Sequence, residues 1–477
     1  MNINKKKSHA YYCFVTILLI IINFICAVAK LHVYSNTVVA SITLLIGAII
    51  YFHVYSGFEN EYQNRKALLL KIIYISFLLF GSGHFFVIAL GGFKDPLMYI
   101  WNTNRFSDDI YRKTIFYTTC SILFYEIGSF IALKNFYSNP PKLKVHLVSP
   151  MKINDIINIL FILAFVISIF LMSLYASIGN YSSIYKKDYG RYYNYAVMGS
   201  LLCIPLYLLI QYGSQKLWKI LSNICMIFLI LITIAIGKRT NAVMFFLPIV
   251  ITNCRVYKNI KPRILILGGA CLYIAATLLY TVSVTRVSEM SFGSELKLFW
   301  ENLISFQSVK FLIIEIGSSV RNMMEIFKIY EMNMESYKYG MTYIYSIFII
   351  VPGSIRGSFD KIATDNHWTG LASYITQTSG ASYGLGGSAQ MEAYMNFAIY
   401  GVFFFLALGY IITDLLGRQR FQDVKLDLFY KIAITTFIII LPRTTMQDNI
   451  KKVFYCCSIP FYIYVWSNRK CNIKRRL

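Results

Sequence analysis

Apolar runs long enough to cross a membrane recur along the whole chain, and they constrain the fold more than any other feature. A membrane-spanning helix needs about 20 mostly apolar residues. By that rule we predict about twelve transmembrane helices, at residues 11–29, 38–55, 67–90, 114–133, 156–175, 196–213, 220–236, 241–254, 264–284, 396–416, 432–441 and 453–466. The run 343–351 is too short to span comfortably, so we predict that it is re-entrant or interfacial. The expected fold is an all-α polytopic membrane protein.

The composition excludes other classes of protein. Charged residues make up only 14% of the 477 residues, whereas soluble proteins carry about 25%. A soluble protein with one membrane anchor is therefore excluded. The net charge of +24 follows largely from membrane topology, and no nucleic-acid-binding motif accompanies it. The ten cysteines include no CxxC pair, so neither a zinc site nor a disulfide framework is predicted.

Lysine and arginine also predict the orientation. Lys5, Lys6 and Lys7 precede the first apolar run, which lacks a clear cleavage site, so we predict a retained first span. With a cytoplasmic N-terminus, the inner loops carry Lys and Arg about two and a half times as densely as the outer segments. Both termini are then cytoplasmic, in an inner membrane.

Three regions follow from this topology. Residues 1–284 hold the first nine spans, and residues 396–477 hold the last three spans with a cytoplasmic tail. Between them, residues 285–395 form one large outer segment. Its many aromatic residues, such as Trp300 and Trp368, are untypical of a linker. We expect short helices on the outer leaflet.

Basic residues stand at the outward ends of several spans, where positive charge is disfavoured. Long basic side chains can extend to the interface without any function. Six arginines on this side are harder to explain in that way, and guanidinium groups match phosphate oxygens. Together they suit a lipid-linked pyrophosphate or another anionic substrate. With the lysine beside one of them, they are Arg191, Lys238, Arg239, Arg286, Arg321, Arg356 and Arg443.

Two residues are candidates for proton transfer. Glu392 follows the glycine-rich residues 384–388 and shares a helix face with Asn396. It either pairs with an outer arginine, which is the more frequent case, or acts as a base. His367 is a lone loop histidine, which is usually only solvated, and a second base candidate. Glu325 stands four residues after Arg321, a spacing that allows an ion pair.

These segments, in order over residues 230–450, resemble the O-antigen polymerase (Wzy) family of lipid-linked oligosaccharide polymerases. The block from Gly384 to Phe397 is the most specific element, and residues 1–230 are similar only in hydropathy. Ala398 is a departure, because the family pattern favours glycine there. The residues that carry the resemblance are Gly237, Lys238, Arg239, Glu315, Ile316, Gly317, Arg321, Tyr339, Gly340, Pro352, Gly384, Leu385, Gly386, Gly387, Ser388, Glu392, Tyr394, Asn396, Phe397, Arg443 and Asp448.

The resemblance implies a glycosyltransferase with a GT-C-like fold. It would join repeat units carried on undecaprenyl pyrophosphate at the outer face of the membrane, with no nucleotide sugar, no metal and no other cofactor. Arg239, Arg286, Arg321 and Arg443 would bind the pyrophosphate or sugar. Membrane lipid surrounds such an enzyme, and a chain-length regulator is a candidate partner.

Three alternatives share parts of this pattern. An O-antigen ligase would have the same helices, outer segment and arginines. A flippase or transporter would need polar residues lining the middle of many spans, whereas Glu126 and Lys71 are the main charged residues there. A structural scaffold would not explain the outer arginines.

Overall fold

The computed structural model describes residues 3–56, 61–90, 106–137, 151–176, 199–235, 239–253, 292–305, 319–380 and 385–474, with a few isolated residues between 270 and 317. These residues form helices and no strand, which confirms the all-α prediction. Most of the predicted span 264–284 lies outside the described residues, as do Arg191, Lys238 and Arg286.

The helices vary widely in length. In chain order they are α1 (Ile3–Val28), α2 (Val33–Val54), α3 (Glu61–Ala89), α4 (Asp108–Tyr137), α5 (Met151–Ala176), α6 (Cys203–Gly213), α7 (Lys216–Ala235), α8 (Arg239–Asn253), α9 (Phe292–Ser305), α10 (Ser319–Glu331), α11 (Met341–Phe348), α12 (Gly353–Asp365), α13 (Leu371–Thr378), α14 (Ala389–Phe397), α15 (Val402–Gly417), α16 (Val424–Ile438), α17 (Met446–Lys452) and α18 (Ile459–Lys474).

Seven stretches of the described chain are long and apolar enough to cross a membrane: Ala10–Val28, Val33–Val54, Glu61–Ala89, Asp108–Leu133, Ile153–Ser173, Lys216–Ile234 and Ala389–Gly417. Each covers or overlaps a predicted span. Two shorter apolar helices, Gly199–Gly213 and Thr240–Asn253, fall on two further predicted spans. The chain is therefore built as a multi-pass membrane protein, and the total of twelve spans stays a prediction.

The last third of the chain departs from the predicted helix boundaries. The span predicted at 396–416 already begins at Ala389, and the one predicted at 453–466 is helical from Met446 onwards. Hydropathy missed the first of these starts because Gln390 and Glu392 are polar. Both side chains are fully buried, so this part of α14 faces protein and not lipid.

Two glycines allow α4 and α15 to touch backbone to backbone. A Cβ atom on Gly128 would lie 1.9 Å from the Leu406 carbonyl oxygen, and one on Gly409 would lie 2.1 Å from that of Tyr125. Small residues at such crossings let membrane helices pack closely. The helices α1, α2 and α3 also pack around α4, so α4 lies in the interior of this group of helices.

A backbone break separates α14 from α15. Ala398 has φ 52° and ψ −138°, a region that strains any residue with a side chain. This conformation explains why a glycine would suit the position. The carbonyls left open at the end of α14 are satisfied from another segment, because the Lys338 amide donates to Met395 (2.8 Å) and the Tyr339 amide to Asn396 (3.1 Å).

Candidate active site

Residues 385–388 lead into α14, and we call them the glycine turn. Gly386 has φ 78°, and a Cβ on Gly387 would lie 2.9 Å from Thr445 Cγ2. Both positions therefore need glycine, the first for its backbone conformation and the second for space. Ser388 ends the turn as the N-cap of α14, and its hydroxyl accepts from the Met391 amide at 3.1 Å.

The glycine turn brings together two segments that carry predicted arginines. On one side, Asn322 Nδ2 donates to the carbonyl oxygens of Leu385 (3.1 Å) and Gly386 (3.3 Å), and Asn322 follows Arg321 in α10. On the other side, a Cβ on Gly386 would lie 3.8 Å from the carbonyl oxygen of Arg443. The segments that carry Arg321 and Arg443 thus contact the same turn.

Glu392 lies one turn into α14 and is fully buried. Thr342 Oγ1 donates to its Oε1 at 2.8 Å, and the Met446 amide donates to its Oε2 at 2.7 Å. Asn396 Nδ2 donates to Thr342 Oγ1 at 2.7 Å, and Asn396 Oδ1 accepts from the Gly340 amide at 2.9 Å. We call these groups the Glu392 network. It joins α11, α14 and the start of α17.

The network settles the local contacts of Glu392. The predicted shared face of Glu392 and Asn396 is confirmed, because Asn396 Nδ2 also donates to the Glu392 carbonyl at 2.7 Å. The carboxylate has no ion pair within the described residues, and both of its oxygens accept hydrogen bonds. Asp448 is close enough to Glu392 for their charges to interact. A buried carboxylate with both oxygens engaged is better suited to fixing a position than to meeting a substrate.

Two of the predicted arginines have local acidic partners. Arg321 Nη2 lies 3.7 Å from Glu325 Oε1, which confirms the pairing that the spacing allowed. Arg356 Nη1 lies 3.2 Å from Asp360 Oδ1 and also donates to the Tyr345 hydroxyl at 3.2 Å. Arg356 is therefore engaged within α11 and α12.

Of the remaining predicted basic residues, only Arg443 has its side chain within the part of the chain that the structure describes. Arg443 lies half-buried in the short 3-10 turn Leu441–Arg443. Arg239 begins α8, and its side chain lies outside the described residues, together with Arg191, Lys238 and Arg286.

His367 lies in the turn between α12 and α13 with φ 53°. Its ring stacks on Tyr374 at a centroid distance of 4.4 Å, and the side chain is half-buried. Within the described chain, the ring nitrogens of His367 make no hydrogen bond. The turn itself contacts α17, because Gln447 Nε2 donates to Thr369 Oγ1 at 2.9 Å. His367 is thus held beside the segment that follows Arg443.

Tyr374 links His367 to a charged pair. Burial acts to raise the pKa of Glu335, but hydrogen bonds from Lys338 and Tyr374 outweigh it and hold the pKa below its ordinary value. The Lys338 ammonium lies 2.7 Å from Glu335 Oε1. The carboxylate therefore stays ionised and anchors the tyrosine on which the imidazole rests.

Sequence reasoning missed two kinds of residue here. Thr342 and the Met446 amide bind Glu392 across 50 and 54 residues of chain, and no short-range pattern indicates such contacts. Lys451 and Lys452 at the end of α17 were also overlooked. The available signal was their position in a segment predicted to lie on the outer side of the membrane, where lysine is disfavoured.

The described residues contain no group of three His, Cys, Asp or Glu side chains that could hold a metal ion. A family model described as O-antigen polysaccharide polymerase Wzy matches residues 11–476. No curated protein matches the chain, and no solved structure does.

Proposed function

The chain belongs to the O-antigen polysaccharide polymerase Wzy family, and from this premise we propose that it joins oligosaccharide repeat units carried on undecaprenyl pyrophosphate at the outer face of the bacterial inner membrane. Membership implies a polymerising glycosyltransferase in a multi-pass membrane protein. We also propose a GT-C-like fold of twelve spans with cytoplasmic termini, and a reaction that is independent of metal.

One observation carries the proposed site: the segments bearing Arg321 and Arg443 contact the same glycine turn, and the Glu392 network fixes the chain directly after Arg443. In the proposed topology all of these elements lie on the outer side. Nucleotide sugars are cytoplasmic, so a lipid-linked donor suits that side. Guanidinium groups remain charged and match phosphate oxygens in geometry.

The reaction we propose is a substitution at the anomeric carbon. A hydroxyl of the acceptor repeat unit attacks the anomeric carbon of the growing chain. A new C–O glycosidic bond forms as the C–O bond to the pyrophosphate breaks, and the leaving undecaprenyl pyrophosphate takes the electron pair. Arg321 and Arg443, with Arg239 and Arg286, stabilise the charge that develops on it. Arg191, Lys238 and Arg356 belong to the wider basic surface.

The proton of the attacking hydroxyl needs an acceptor. His367 is the better candidate, because its imidazole is half-buried and its ring nitrogens make no hydrogen bond within the described chain. An imidazole so placed can take a proton from a sugar hydroxyl. Glu392 acts as a positioning residue, because its carboxylate is buried and tied to α11 and α17.

Deletion of the gene tests the function directly. Without a polymerase, the surface glycan carries a single repeat unit per anchor on a gel. Without a ligase, the surface glycan disappears while polymer accumulates on the lipid carrier, and that result would refute a polymerase. A chain-length regulator, the candidate partner, would be sought by purification of the complex.

Substitution of the arginines tests the site. We expect Arg321→Ala and Arg443→Ala, at wild-type protein level, to reproduce the single-unit glycan of the deletion. Arg418→Ala is the matched control, because Arg418 is exposed and pairs with Asp414 at the other end of α15. Long-chain glycan in the first two variants would remove both arginines from the site.

A further inference from the structure

Two lysines at the end of α17 are half-buried and have no hydrogen-bond or ion-pair partner among the residues that the structure describes. Lys451 and Lys452 precede the π-helical segment Val453–Ser458 that leads into α18. Within the part of the chain that the structure describes, neither ammonium group makes an ion pair or a hydrogen bond. Unpaired charge at the head of a membrane helix is costly unless an anion or a polar cavity faces it.

The nearest carboxylate in the helix does not neutralise them. Asp448 stands three residues before Lys451 and four before Lys452, so all three share one side of α17. Asp448 is exposed and forms no ion pair in the described structure. Its charge interacts with Glu392, so this side of α17 faces the Glu392 network.

Both lysines follow Arg443 closely in the chain. Side chains of an α-helix lean toward its N-terminus, and α17 begins three residues after Arg443. The π-helical segment is a second, independent sign, because such segments occur frequently at functional sites.

We propose that Lys451 and Lys452 bind phosphate oxygens of the lipid-linked pyrophosphate, on the side of α17 that carries Asp448. This inference rests on the proposed function and adds two residues to its site. Phosphate of a bulk phospholipid headgroup offers the same chemistry, so the experiment must separate the two sources.

Binding to the purified full-length protein in phosphatidylcholine nanodiscs makes that separation. The two probes are undecaprenyl pyrophosphate and phosphatidylglycerol. We expect Lys451→Ala/Lys452→Ala to weaken binding of the pyrophosphate lipid by about tenfold or more, as the loss of a charge-assisted contact implies. Binding of phosphatidylglycerol should not change. Lys361→Ala, at an exposed lysine of α12, is the control for loss of one charge.

A charge-conserving variant guards against misfolding. Lys451→Arg/Lys452→Arg should bind the pyrophosphate lipid as the wild type does and should support long-chain glycan in cells. Equal weakening for both lipids would assign the lysines to bulk headgroups and overturn the inference. If the wild type binds the pyrophosphate lipid and the alanine variant binds it equally well, the inference about the lysines would be overturned and the proposed function would stand. A wild type that does not bind the pyrophosphate lipid would overturn the proposed function as well.

Discussion

Replacement of Thr342 by valine tests whether Glu392 positions the site or transfers a proton. Valine has nearly the shape of threonine and lacks the hydroxyl. Thr342 is buried, with 1% of its surface exposed. The change removes the bond to Glu392 Oε1 and leaves Asn396 Nδ2 without its bond to Thr342. A buried polar group that loses its partner costs about 1 to 3 kcal/mol.

Two such groups predict a destabilisation of about 2 to 6 kcal/mol, felt where α11, α14 and α17 meet. Thermal unfolding of the purified protein and the glycan length in cells are the measurements. Thr342→Val should lower the melting temperature and shorten the glycan. Thr342→Ser retains both hydrogen bonds and is the matched control, for which we expect nearly wild-type values.

A double substitution separates the two roles of Glu392. If Glu392 positions the site, Glu392→Gln and Thr342→Val act on one network, and together they do no more damage than the worse of the two. If Glu392 were the base, Glu392→Gln would abolish polymerisation with an unchanged melting temperature, and Thr342→Val would retain long-chain glycan. That second pattern would refute the positioning role.

Three further predictions concern the membrane bundle. Gly128→Ala and Gly409→Ala should each lower the melting temperature strongly and reduce the amount of folded protein, because the added methyl meets backbone at 1.9 and 2.1 Å. Gly199→Ala is the control, because its added methyl meets nothing within 4 Å, and it should change neither quantity. An unchanged melting temperature in all three variants would contradict the close crossing. Ala398→Gly should stabilise the protein by about 1 kcal/mol, because it relieves a backbone strain of about 1 to 3 kcal/mol and costs only about 0.5 to 1 kcal/mol in chain entropy. Ala372→Gly, within the helix α13, is the control and should destabilise the protein. A lower melting temperature in both variants would refute the strain at Ala398. The Tyr74 hydroxyl donates to Glu126 at 2.5 Å. Glu126→Gln keeps a carbonyl acceptor for this bond and should leave the melting temperature nearly unchanged, whereas Glu126→Ala should lower it. A much lower melting temperature in the glutamine variant would show that the carboxyl group itself is needed.

Hydropathy predicted the long helices well because the lipid interior favours apolar residues along the whole length of a span. The helices α1 to α5 and α7 each cover or overlap a predicted run. The same rule placed the start of α14 too late, since Gln390 and Glu392 are polar yet face protein. Helical spacing also predicted the Arg321–Glu325 pair and the shared face of Glu392 and Asn396, since both depend only on neighbouring turns.

Contacts between distant segments could not be predicted from the sequence. Nothing in the residues around Thr342 indicates that its hydroxyl meets Glu392, because that contact depends on how α11 packs on α14. The close approach of the glycine turn to Thr445 is of the same kind. The glycines at 386 and 387 signalled a turn, and only the fold shows which segment the turn faces.

The glycine contact between α4 and α15 bears on how a lipid-borne substrate enters. Where two helix backbones touch, no gap is left that admits a polyprenyl tail from the surrounding bilayer. The seam between α4 and α15 is therefore closed to lateral traffic. A donor that reaches the glycine turn from the membrane must pass between another pair of helices.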